Sequence, residues 1–177
     1  FKEKKNLENL INKYLKIKLS KNIKYPLTDN SLLTVDILRG VEVLLSRQLT
    51  MSKITQEFEH EFAKYIGAKY ALMVNSGSSA NLIAAFALAN PRKNNFLKNG
   101  DEFLIPALCW STSLWPLVQA GLKPKFVDVN VNNFNMNIDE FNKKLSKKIK
   151  VIMAVHVLGN SAQIGKIAKT AKSKGIF

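Results

Sequence analysis

A single cysteine, Cys109, stands in the 177 residues. It has no partner for an internal disulfide, which fits a reducing compartment such as the cytoplasm. Histidine is nearly as scarce, with only His60 and His156. Two histidines and one cysteine offer no zinc-ligand spacing, so no metal site is expected. No nucleophile elbow marks a Ser-His-Asp hydrolase, and neither a Walker motif nor a dinucleotide fingerprint is present. Arginine is confined to Arg39, Arg47 and Arg92. Base reading and phosphate clamping favour Arg, so nucleic-acid binding is only an alternative reading of the positive charge. No run of about 18 apolar residues appears, so no membrane insertion is expected. The N-terminus lacks a basic start followed by an apolar core, so no secretory signal is expected either.

The composition, 46% hydrophobic and 23% charged, excludes a wholly disordered chain. The net charge of +14 is unevenly placed. Residues 1–24 hold eight Lys against two Glu, residues 142–177 hold nine Lys and no acid, and the middle is close to neutral. These lysines are dispersed at helical spacing and read as solvated helix faces. The chain starts on Phe1, and Gly175-Ile176-Phe177 reads as a strand just beginning. It is therefore expected to be an internal piece of a longer protein.

Apolar spacing predicts an amphipathic helix over 3–18, a linker with Pro26 over 20–30, and helices over 32–45 and 54–66, the last closed by Gly67. The pattern then changes. Short apolar runs predict strands at 70–74, 102–106, 125–129 and 150–157. Helices are expected at 79–89, 112–120, 139 onward and 163–173, with Gly175 as a left-handed cap. Strands alternating with helices imply an α/β fold with a mostly parallel sheet.

In such a sheet, ligands sit beyond the carboxyl ends of the strands. Four segments meet that rule. In Asn75-Ser76-Gly77-Ser78-Ser79-Ala80-Asn81, Ser78 and Ser79 fall at a helix start, where free N–H groups and hydroxyls suit a phosphate. A plain helix cap built of small residues fits the same pattern. Trp110 lies between a strand and a helix and suits stacking on a planar ligand, although a core tryptophan fits as well; Trp115, on the following helix, reads as core. Asp128 either binds a ligand or caps a turn. His156 closes a buried strand and reads as a site residue, whereas His60, among Glu57, Glu59 and Glu61, reads as surface.

Taken together, these segments resemble the DegT/DnrJ/EryC1/StrS family of pyridoxal-phosphate-dependent nucleotide-sugar aminotransferases. The resemblance runs from about Leu44 to the end of the chain. It includes Leu49-Thr50-Met51, the Phe62 to Tyr70 stretch, the Asn75 to Asn81 turn, Gly100-Asp101-Glu102, Pro106 to Trp110, Gly121-Leu122-Lys123-Pro124, Phe126-Val127-Asp128-Val129, Val155-His156 and Gly159. Each piece is common; their order and spacing are specific. Ser52 departs from the glycine that many members carry there.

The resemblance implies a fold-type-I, aspartate-aminotransferase-like large domain, here truncated, working as a homodimer. It implies a helical arm at 1–48 and a partial cofactor-binding domain at 49–177. Pyridoxal or pyridoxamine 5′-phosphate is the implied cofactor. Ser78 and Ser79 would hold its phosphate after the Gly77 turn, Trp110 would stack on its ring, and His156 would lie nearby. Thr50 and Asn160 are implied on the substrate side. The carboxylate that pairs with the ring nitrogen and the Schiff-base lysine are expected after Phe177, so the 177 residues alone should be inactive. The implied reaction is amino transfer; segment 156–160 also resembles CDP-4-keto-6-deoxyglucose 3-dehydratases, which replace that lysine by histidine and carry out deoxygenation instead. The implied partners are a nucleotide sugar, for surface polysaccharide or deoxyaminosugar synthesis, and an amino donor such as glutamate.

Overall fold

The computed structural model describes residues 2–15 and 32–177. The expected linker with Pro26 lies outside these residues. The chain gathers into two compact units, Phe1–Met73 and Val74–Phe177.

The first unit holds α1 (Lys2–Leu15), α2 (Thr34–Ser46) and α3 (Lys53–Ile66). Helix α2 is started by Asp36, whose carboxylate accepts the Leu33 N–H at 2.8 Å. Glu42 on α2 accepts from Lys4 at 2.8 Å and from Arg39 at 2.9 Å. The Lys4 and Arg39 contacts hold its carboxyl below the usual carboxylate range. All three side chains are exposed, so the pairing adds little stability. Gly67 ends α3 with φ 72°, the left-handed cap expected there.

Residues 70–74 are not a strand. Tyr70, Leu72 and Met73 are exposed. An apolar run becomes a strand only beside another strand, and among the described residues none pairs with it. The Met73 N–H instead donates to the Glu59 carboxylate at 2.7 Å.

The second unit is an α/β layer: α4 (Gly77–Leu88), β1 (Glu102–Pro106), α5 (Ser111–Gln119), β2 (Lys123–Val127), α6 (Ile138–Lys144), β3 (Ile149–Ile152) and α7 (Ile164–Lys174). The sheet order is β2-β1-β3, and both pairings are parallel. Central β1 is buried on both faces, as its unbroken apolar sequence requires. Phe103 and Ile105 pack with Ala85, Leu97, Leu117 and Leu122, whereas Leu104 packs with Val127, Phe141, Ile149 and Ile167. After Gly175 (φ 63°), Phe177 returns beside β3: its N–H donates to Lys150 and its carbonyl accepts from Ile152. These two bonds set Phe177 alongside β3, but residues 175–177 do not form the strand expected there.

Three boundaries move. Helix α4 starts at Gly77, two residues early, because Ser76 is the cap. Strand β2 spans Lys123–Val127, which puts Asp128 in the following turn, where its carboxylate accepts the Val129 N–H at 2.8 Å. Strand β3 stops at Ile152; the Met153 N–H still donates to the Leu104 carbonyl at 2.8 Å, and the chain then forms a 3₁₀ turn at Val157–Gly159. Trp115 is not core but 54% exposed. The buried residues of α5 are Pro116 and Leu117, which leaves position 115 on the outer side.

Candidate cofactor site

The first turn of α4 is built by Ser76. Its backbone is extended, and its hydroxyl oxygen accepts the Ser79 N–H at 3.2 Å. The Ser76 hydroxyl also lies 3.2 Å from that of Ser79. Gly77 and Ser78 are the first two helical residues, whose N–H groups have no helical partner. Ser78 is exposed and Ser79 half-buried. Gly77 does not adopt a left-handed backbone, and no atom lies within 4 Å of where its Cβ would stand. The tight turn comes from the extended Ser76, not from a strained glycine.

Trp110 is the residue before α5 and is 75% exposed. It follows β1, while His156 follows β3, the parallel neighbour of β1. Both therefore stand beyond the carboxyl edge of the sheet. His156 is exposed. Its Nδ1 accepts the Ala162 N–H at 3.0 Å, so the neutral ring carries its proton on Nε2. His60 is on the surface of α3, as expected.

A proline ties the two helix starts together. Pro116 lies inside α5 and has no N–H for the carbonyl of Thr112, four residues back. The Nδ2 of Asn81, on α4, donates to that carbonyl at 3.2 Å. The Ser78 turn and the Trp110 turn are thus fixed to one another by a side chain that reaches an orphaned backbone group.

The sequence reading missed Asn81, and it missed Asn135. Asn135 is 3% exposed and bonds to the backbone of Val157 and Asn160. A cleft of about 190 Å³ lies beside it, lined by Asn130, Asn133, Asn137, Ser161, Gln163 and Lys166 among others. It includes none of Gly77, Ser78, Ser79, Trp110 or His156. Thr50 belongs to the first unit. Among the described residues no cluster of metal ligands occurs.

The donors fit a phosphorylated planar ring. Two backbone N–H groups and the Ser78 hydroxyl suit a dianion at a helix start, and the exposed indole of Trp110 offers a stacking face. A parallel α/β layer with these features beyond its carboxyl edge is the large-domain arrangement of fold-type-I pyridoxal-phosphate enzymes. The chain belongs to the DegT/DnrJ/EryC1/StrS aminotransferase family, which it matches over residues 34–177.

It is 37% identical over 155 residues to GDP-4-keto-6-deoxy-D-mannose 3-dehydratase of Yersinia pseudotuberculosis, covering 88% of this chain and 39% of that protein. The Escherichia coli enzyme of the same name, solved with bound hydrated PLP, superposes with a TM-score of 0.81 at 38% identity, over 87% of this chain and 39% of that one. A related dehydratase solved with a trapped PLP–glutamate geminal diamine gives 0.80 at 37% identity, over 86% and 39%. GDP-perosamine synthase of Escherichia coli O157:H7 is 31% identical over 122 residues, 69% of this chain and 32% of that protein. The chain spans about two fifths of the length of the dehydratases it matches. Among the described residues no helix is long and apolar enough to cross a membrane.

Proposed function

We propose that the whole protein binds pyridoxamine 5′-phosphate and removes the 3-hydroxyl of a nucleotide-linked 4-keto-6-deoxyhexose. The observation that carries this reading is the grading of identity. It is 37–38% to GDP-4-keto-6-deoxy-D-mannose 3-dehydratases and 37% to a dTDP-sugar 3-dehydratase, against 28–31% to GDP-perosamine synthases. The segment 156–160 points the same way. Deoxygenation thus moves ahead of amino transfer, the reading first implied by the family resemblance.

When bound, the cofactor supplies an electron sink for charge that develops beside the sugar carbonyl. The chain's own residues bind and orient. Gly77 and Ser78 offer backbone N–H groups, and the Ser78 and Ser79 hydroxyls add donors to the phosphate. Trp110 covers one ring face and shields it from water. His156, with its proton on Nε2, offers a donor at the same edge, and Asn160 and Thr50 face the substrate. Glutamate is the amino donor. The protein acts in the cytoplasm as a homodimer, with an arm at 1–48 and the cofactor domain from 49.

The test is incubation of the full-length protein with PLP, glutamate and a GDP- or dTDP-linked 4-keto-6-deoxyhexose, followed by mass spectrometry. A product that has lost the hydroxyl and carries no added nitrogen is expected. An amino sugar would replace dehydration by amino transfer, and failure to bind PLP would remove both.

A further inference from the structure

Asn135 is the sole buried polar residue among the described residues. It sits on the loop after β2, and its own backbone is held there: its N–H donates to Asn133 Oδ1 at 3.0 Å, and its carbonyl accepts from Asn130 at 2.9 Å. Its side chain reaches a distant turn with both ends. Oδ1 accepts the Val157 N–H at 3.2 Å, and Nδ2 donates to the Asn160 carbonyl at 3.1 Å. One amide therefore grips both ends of residues 157–160.

That turn needs a grip. Leu158 has φ 52° and Gly159 φ 79°, both left-handed. A leucine there is strained, and Leu158 is 96% exposed, so burial of its side chain does not hold it in place. His156 enters the turn and Ala162 leaves it, and the Ala162 N–H donates to His156 Nδ1. The shape of the turn thus sets the distance between the ring and the donor that fixes its tautomer.

We infer that Asn135 is a positioning residue: its buried amide holds the 157–160 turn and, through it, sets the orientation and tautomer of His156 and the placement of Asn160. This rests on the proposed cofactor site for its functional consequence. Only an amide meets the geometry. Aspartate would still accept from Val157 but would set an oxygen against the Asn160 carbonyl, and leucine would leave both backbone groups unpaired.

The experiment compares Asn135→Asp and Asn135→Leu with the wild type in the full-length protein, by hydrogen exchange and steady-state kinetics. Exchange in residues 156–162 should accelerate about tenfold or more, the factor carried by one lost hydrogen bond, while β1 stays protected. The kcat for the nucleotide sugar should fall by a similar factor, with KM changing far less. Unchanged exchange in 156–162, or equal acceleration in β1, overturns the inference; so does full kcat with a loosened turn. If Asn135→Leu does not fold, Asn135→Asp, which keeps the Val157 bond, decides alone. A wild type that neither binds PLP nor turns over would refute the proposed function, and the exchange comparison would still judge the clamp.

Discussion

Replacing Asn81 by Ala removes the donor that serves the Thr112 carbonyl at 3.2 Å. Pro116 cannot replace it, because it has no N–H. An unpaired buried carbonyl costs about 1–3 kcal/mol. Thr112 is only half-buried, and water can reach a group so placed, so a loss of about 1–1.5 kcal/mol is expected. Pro116→Ala restores an N–H at the position where the helix would bond Thr112. In that background, Asn81→Ala should cost no more than about 0.5 kcal/mol, leaving a coupling energy of about 1 kcal/mol between the two sites. The effect of Pro116→Ala alone is not diagnostic, since a gain in helix propensity opposes the loss of a buried ring. Urea denaturation of the four proteins measures the cycle. Equal costs of Asn81→Ala in both backgrounds would refute the claim that Asn81 compensates for the proline.

Ser78→Ala should weaken PLP binding about 10- to 150-fold, the worth of one hydrogen bond to a charged group, and leave the melting temperature unchanged. Ser79→Ala also removes the contact with Ser76, so it should lower both; unchanged PLP affinity in Ser78→Ala would reduce the turn to a helix cap. Gly77→Ala should stabilise the fold by about 0.4–1 kcal/mol, because the site is helical and open; a drop in urea midpoint would contradict this. Burial pushes the Cys109 thiol above its ordinary value, so less thiolate is present at any given pH. Iodoacetamide should therefore modify it more slowly in the folded protein than in the urea-unfolded chain at pH 8, and equal rates would contradict the burial.

What could be read from the sequence was what local chemistry settles. The strand at 102–106 and the caps at Gly67 and Gly175 are where residue type alone required them. The positions of Trp110 and His156 beyond strand ends followed from counting strands. Residues 70–74 misled because a strand is a property of two segments, and only one was in view. Trp115 misled because a nine-residue helix with a weak apolar stripe does not declare which side is buried. Asn81 and Asn135 were not legible, since each acts on backbone groups 31 and 22–25 residues away. An asparagine in a run of asparagines carries no mark of which one is buried. The proline in α5 was the one available signal: it announces a carbonyl in need of a donor, though not where that donor resides.

Strand β1 also bears on how the chain comes off the ribosome. Its partners are reached only through helical crossovers, so no hairpin can protect it early. The unbroken apolar run Phe103-Leu104-Ile105 is synthesised first, then waits for β2 and, some 50 residues after its own start, for the end of β3. At about 5–20 residues per second, that wait lasts about 3–10 seconds. During it the most hydrophobic strand of the unit is open to any neighbouring nascent chain. The segment between Glu102 and Ile152 is thus where a holding chaperone would have most effect on yield, and where slowed translation would do most harm.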